Sequence, residues 1–221
     1  IEQSVEVLDH WNRAADSVVE GIANGNSRRS KADRNRCFNE AVGSALECAA
    51  CLDICLRKEL ITDDQLVAGK KMLQPIVCMV FGLRKAERDY ISEQGASYDT
   101  GKSEIYFDHE GLDAYKVALE LVVWLHRFLG CTDIQSLYVK RLDKGTTSLI
   151  LNIAEGNGRI SQWDHKRFLD TAHTCAMRVA ACLDVLVARG QVHDRQITEG
   201  KQILARVVPL VLGLRSYLDD S

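Results

Sequence analysis

Residues 148–161, SLILNIAEGNGRIS, restate residues 17–30, SVVEGIANGNSRRS, at an offset of 131. At that offset residues 17–84 align with 148–215 without a gap, and 26 of the 68 positions are identical. Unrelated chains would share about one position in sixteen, so the pattern reads as an internal duplication. The shared residues include Gly25/Gly156, Asn26/Asn157, Arg28/Arg159 and Ser30/Ser161. Further on come Asp53/Asp184, Gly69/Gly200 and Gly82/Gly213. A period this long exceeds that of solenoid repeats, so each copy is a domain rather than a stacked unit.

Only two prolines, 6% aromatic residues and few alternating β-branched runs argue for helix rather than sheet. Within a copy the repeated stretch predicts a helix end, a turn and a helix start. Gly156 and Gly158 suit a left-handed closing residue, and Ser161 with Asp164, like Ser30 with Asp33, suits an N-terminal cap. The next helix is expected over 162–189, with Phe168, Leu169, Ala172, Cys175, Ala176, Val179, Leu183 and Leu186 on one stripe and Gly190 as its stop. Another begins near Asp194, matched in the first copy by a start capped by Thr62 and Gln65. Pro75 and Pro209 fall inside these last helices and predict bends. Residues 135–155 and 111–130 supply two more helices, making four in the second copy.

The expected fold class is all-α: two tandem up-down antiparallel four-helix-bundle modules, the first lacking its own first helix. The modules are residues 1–90 and 111–221, and the polar, turn-rich stretch 91–110 reads as a linker. Glycine inside a helix costs about 1 kcal/mol relative to alanine. The shared Gly69/Gly200 and Gly82/Gly213 therefore predict close helix crossings, within a bundle or against a neighbouring subunit.

A net charge of −3 provides no global field for phosphate backbones, so any nucleic-acid contact needs a local basic patch. No secretory leader is visible, and the longest apolar run, 119–130, is too short for a bilayer. A cytoplasmic protein with no membrane partner is expected. The eight cysteines follow helix faces. Cys48, Cys51 and Cys55 share one face, with Cys78 on the next helix, which raises a thiolate metal site. The other copy argues against it: opposite Cys37, Cys48, Cys55 and Cys78 stand Phe168, Val179, Leu186 and Pro209, so apolar volume suffices there. The six histidines match no metal or protease spacing, and no nucleophile elbow or phosphate loop occurs. Glu155 lacks a partner acid and reads as a structural hydrogen-bond acceptor near a helix end. No enzyme, metal or cofactor is expected.

The densest charge is RRSKADRNR, with Arg28, Arg29, Lys31, Arg34 and Arg36 against Asp33 alone, at a turn and the first turns of a helix. Backbone N–H groups there add positive potential for anions. The second copy keeps Arg159, His165, Lys166 and Arg167 and adds Trp163 as a stacking surface. Both segments are candidate RNA or DNA contacts. A charge run is also an ordinary solvated face, which leaves a protein-only oligomeric scaffold or adaptor as the alternative.

The second copy, about 106–221, resembles the four-helix-bundle family encoded by intervening sequences of bacterial 23S rRNA genes. The resemblance rests on LDAYKVALELV, SLILNIAEGNGR and FLDTAHTCAMRVAACLDVL. The family in turn resembles the accessory variability determinant of diversity-generating retroelements. The resemblance implies a non-catalytic bundle that assembles into homo-oligomers and, in the retroelement branch, binds nucleic acid and a nucleic-acid enzyme, a reverse transcriptase. The first copy has Gly21 and Asn24 where the second has Asn152 and Glu155.

Overall fold

The computed structural model describes residues 2–85, 106–159 and 161–219. These residues form seven α-helices and one short 3-10 helix, with no strand among them. The helices are α1 (Glu2–Ser27), α2 (Lys31–Arg57), α3 (Asp63–Lys85), α4 (Asp113–Gly130), α5 (Ser136–Asn157), α6 (Gln162–Ala188) and α7 (Asp194–Tyr217). The 3-10 helix, Asp108–Gly111, leads into α4.

The caps form as the sequence requires. The Asp33 and Asp164 amides donate to the hydroxyls of Ser30 and Ser161. Gln65 reaches back to the Thr62 amide, and its own amide donates to the Thr62 hydroxyl. Each cap satisfies helix N–H groups that have no carbonyl partner. Pro75 and Pro209 both lie within helices, in α3 and α7.

Helices α4 to α7 make a closed four-helix bundle, α4 packing on α5 and α7, and α6 on α5 and α7. Its centre contains Leu121, Leu142, Leu149, Ile150, Ile153, Leu169, Leu183 and Leu186, all fully buried. In the first copy α2 packs between α1 and α3, and also against α5 and α4 of the second copy. Accordingly α2 is buried almost continuously from Cys37 to Cys55, whereas its counterpart α6 buries a single stripe. Small residues permit this: Ala41, Gly43, Ser44, Ala45, Ala49 and Ala50 let neighbours approach α2 from several sides. Val7, Ala50, Cys51, Ile54 and Cys55 consequently belong to the core of the second copy, while Val18, Phe38, Leu52, Leu73 and Val80 form a separate first-copy core.

Two expectations change. Gly156 and Gly158 are not left-handed: the former is helical and the latter has φ −79°. Positive φ occurs instead at Gly190 and Glu59 among the described residues. The two glycines serve close packing, since a methyl on Gly156 would lie 2.9 Å from Phe168 Cβ and one on Gly158 2.6 Å from Leu46 Cδ1. Of the linker expected at 91–110, residues 91–105 lie outside the described part. Of the remaining five, Phe107 and His109 are buried, Tyr106 and Glu110 are half-buried and Asp108 is exposed. The crossing predicted at Gly69/Gly200 is present, against Leu52 and Trp124, but nothing approaches Gly82 or Gly213 within 4 Å.

Candidate nucleic-acid interface

The α1–α2 turn carries Arg28 and Arg29 exposed, followed by exposed Lys31 and Arg36 and half-buried Arg34 on the first turns of α2. The sequence places them there because α1 ends at Ser27 and the Ser30 cap starts α2 immediately afterwards. Arg36 lies 4.0 Å from Asp33, both well exposed, a pairing too weak in water to hold the guanidinium. The start of a 27-residue helix adds its own positive end to this cluster.

The α5–α6 segment divides into two groups. Trp163 is 69% exposed, and the Arg167 guanidinium sits 5.4 Å above its ring, so an aromatic face and a cation are presented together. The other three predicted residues are engaged within the chain. Arg159 is ion-paired with Glu155, lies 4.8 Å over the Phe168 ring and packs against Gly43 of α2. Glu155 is thus a structural acceptor as expected; burial raises its carboxyl and Arg159 opposes that shift. His165 is half-buried against α5, and loss of water lowers its pKa. Lys166 bonds Asp219 at 2.6 Å. Sequence alone could not separate these groups, because Arg28 and Arg159 are counterparts: one ends in solvent and the other at the contact between copies.

The two basic segments do not merge. The end of α5 meets α2 at Gly43 and Leu46, 12 residues past Lys31, which at 1.5 Å per residue places the segments about 18 Å apart along α2.

A second cluster, which sequence reading missed, lies where the copies meet. Lys70 Nζ donates to Asp53 Oδ1 at 2.6 Å and Glu110 Oε1 at 2.8 Å. The Tyr115 hydroxyl donates to Asp53 Oδ2 at 2.8 Å, and the Tyr106 amide to Glu110 Oε2 at 2.9 Å. His109 is fully buried beside them, and among the described residues no partner is present for either ring nitrogen. Burial lowers its pKa to about 3, with Lys70 adding to the effect. Ligand-type atoms of Asp53, His109 and Glu110 lie within 4.8 Å of one another, but the Lys70 ammonium occupies the cation position between the carboxylates. The arrangement is an ion-pair lock joining α2, α3, the 3-10 helix and α4. The repeat offset held the missed signal, since Asp53 and Lys70 are both conserved at Asp184 and Lys201.

The cysteine face divides between two cores, Cys48 in that of the first copy and Cys51 and Cys55 in that of the second. Burial pushes the Cys48 thiol up to about 12 and Cys51 higher, with Glu47 adding to both, and it raises Cys55 as well. This disfavours the thiolate that a metal or a nucleophilic reaction needs.

Comparison with protein families matches residues 2–82 to the family described as 23S rRNA-intervening sequence protein. Those residues are similar to that family. The matched span covers α1, α2 and most of α3, the copy that carries Gly21 and Asn24, and not residues 106–221, where the sequence resemblance lies. The matched segment also carries the Arg28 to Arg36 cluster. No curated protein and no solved structure matches the chain.

Two helices, α3 and α6, have the length and mean hydropathy, 1.4 and 1.3, of a membrane span. Both are amphipathic: α6 buries one stripe and exposes Arg167, Asp170, Arg178 and Asp184 on other faces, the pattern of a helix at the edge of a bundle.

Proposed function

We propose that the protein is a non-enzymatic, cytoplasmic helical-bundle assembly protein that binds nucleic acid through the turn-proximal basic segment of α1–α2. The observation that carries the reading is the solvent-exposed set Arg28, Arg29, Lys31 and Arg36, at a helix N-terminus and opposed within the segment only by Asp33. Phosphates are the anions such a set suits, because several N–H donors and a helix end converge there. Trp163 with Arg167 provides a secondary contact where an unpaired base stacks. The retroelement resemblance extends the partner class to a nucleic-acid enzyme such as a reverse transcriptase.

Fluorescence polarisation with a labelled single-stranded RNA, and the DNA of the same sequence, tests this. Binding weakens with salt, and Arg29→Glu with Arg36→Glu lowers the log–log salt slope by about 0.7 per lost phosphate contact. Absence of binding at low salt, or a double variant with the parent's affinity and slope, overturns it. The second outcome would favour the scaffold that contacts only protein.

A further inference from the structure

The first copy has three helices where the second has four, and the place of the fourth is open. In the second copy α4 packs on both α5 and α7. Apart from α2, no described helix packs on both of their counterparts, α1 and α3. The consequence shows position by position. Leu142, Thr146, Ile150 and Ile153 of α5 are fully buried, whereas their counterparts Trp11, Ala15 and Ile22 are half-buried and Val19 is 68% exposed. On the other wall Ile203 and Val207 of α7 are buried, whereas their counterparts are Met72, 73% exposed, and Ile76, half-buried. A methyl on Gly200 would strike Trp124 of α4, but one on Gly69 would strike Leu52 of the first copy's own core. The segment 106–110 packs from the opposite side: Tyr106 lies by Lys70 and Phe107 stacks on His109. Lys70 is about 200° around α3 from Met72. What remains is an apolar groove about 16 Å long, from Trp11 to Ile22 along one wall. Apolar groups collected this way mark a contact surface.

We propose that this groove is the docking site for an amphipathic helix of another protein, apolar on the face that enters and basic along the edge that meets α1. α4 shows what the position accepts: a helix antiparallel to its wall, since Glu120 pairs with Arg206 and Arg127 with Glu199. The edges of the groove differ in charge. α3 has Ala68 and Pro75 where α7 has Glu199 and Arg206, so those two ion pairs have no equivalent here. α1 instead carries exposed Asp9 and Asp16, about one turn to either side of Asn12. Asn12 is the counterpart of Asp143, and His126 of α4 is close enough to Asp143 for their charges to interact. The occupant's residue in the place of His126 therefore meets the two acids, where a positive charge steers the encounter and fixes the register. Neither α4 of a second copy nor residues 86–105 suit the groove. The apolar face of α4 is already buried in its own bundle, with Leu121, Trp124 and Leu125 covered. Residues 86–105 carry only Tyr90, Ile91, Tyr98 and Ile105 as large apolar side chains, too few for a helical stripe. The inference goes beyond nucleic-acid binding and does not depend on it.

Fluorescence polarisation with two labelled peptides tests it. Both carry residues 112–130 of this chain; the basic peptide has Leu119→Lys and His126→Lys, and the acidic peptide has Leu119→Glu and His126→Glu. The basic peptide binds the parent chain. Val19→Glu with Met72→Glu, both at exposed positions, weakens that binding at least about tenfold while circular dichroism shows parental helicity. The acidic peptide binds the parent at least about threefold less tightly, and Asp9→Lys with Asp16→Lys reverses the order of the two peptides. Absence of binding by the basic peptide, undiminished binding by the Val19 and Met72 variant, or no preference between the peptides overturns the proposal. So does a parent that ignores both peptides but sediments with phosphatidylglycerol vesicles, which assigns the groove to a lipid surface. A parent that ignores them while gaining mass with concentration, until Met72→Glu prevents it, assigns the groove to a second copy and likewise overturns the proposal. RNA polarisation on the Val19 and Met72 variant reads the parent's affinity, because Arg28 to Arg36 lie beyond the groove, so failure of either reading is seen separately.

Discussion

The same ion pair stands in two environments in this chain, which makes its worth measurable. Lys70 and Asp53 have side chains 5% and 10% exposed, whereas Lys201 and Asp184 are 37% and 60% exposed at the same 2.6 Å separation. Lys70→Met leaves the Asp53 and Glu110 carboxylates buried together with only the Tyr115 hydroxyl and the Tyr106 amide as donors. Breaking a buried pair from one side costs about 3–5 kcal/mol, a large share of a typical stability of about 5–15 kcal/mol. Lys201→Met removes a solvated pair worth about 0–1 kcal/mol. Urea unfolding at neutral pH, followed by helical circular dichroism, reports both values. The deficit at Lys70 also depends on pH. Burial already raises the Glu110 carboxyl above its ordinary 4.5, and Lys70 pulls it down, so removing Lys70 raises it further. A raised folded-state pKa means that the folded chain holds the proton more tightly, so stability recovers as pH falls through that value. The Lys70→Met deficit therefore shrinks on acidification. Equal costs at the two lysines, or a deficit at Lys70 that ignores pH, would refute the claim that burial rather than pairing sets the energy.

Two further predictions use the same internal comparison or the same cluster. Gly200→Ala drives a methyl into the Trp124 ring and destabilises the protein by about 1–3 kcal/mol, whereas Gly213→Ala meets nothing within 4 Å and gains up to about 1 kcal/mol of helix propensity; thermal unfolding of both shows opposite signs. His109 is neutral when folded, with a pKa near 3, but titrates near 6.5 when unfolded, so it costs stability as pH falls from about 6.5 toward 3. His109→Leu removes that loss, about 1.4 kcal/mol per pH unit across the window, and at pH 7 is neutral or stabilising because no hydrogen bond is given up. A variant whose acid sensitivity matches the parent's shows that the imidazole is not buried in this way.

Local structure was legible because it is set by neighbours in sequence. The Ser30 and Ser161 caps, the Gly190 stop and the apolar stripe of α6 follow from residues within a few positions of one another, so reading them needs no third dimension. The helical class follows from the same patterns, whereas the family resemblance read at 106–221 is matched at residues 2–82 instead. Gly156 and Gly158 show where this stops: sequence assigned them to backbone handedness, and their actual reason is a neighbour, Phe168 or Leu46, that only packing brings near.

What the sequence alone determined is the pair of related helical segments, their ends and their apolar faces. What the tertiary structure decided is which copy of each repeated residue faces water. Arg28 and Arg159, Lys70 and Lys201, and Ile54 and Val185 each begin as counterparts and diverge in exposure because α5 and α4 lie on α2, while no helix of the described residues lies on the outer face of α6. Burial depends on contacts between residues far apart in the chain. It controls the desolvation of charge, and that controls whether an arginine stays open to solvent or becomes a strut between the two copies.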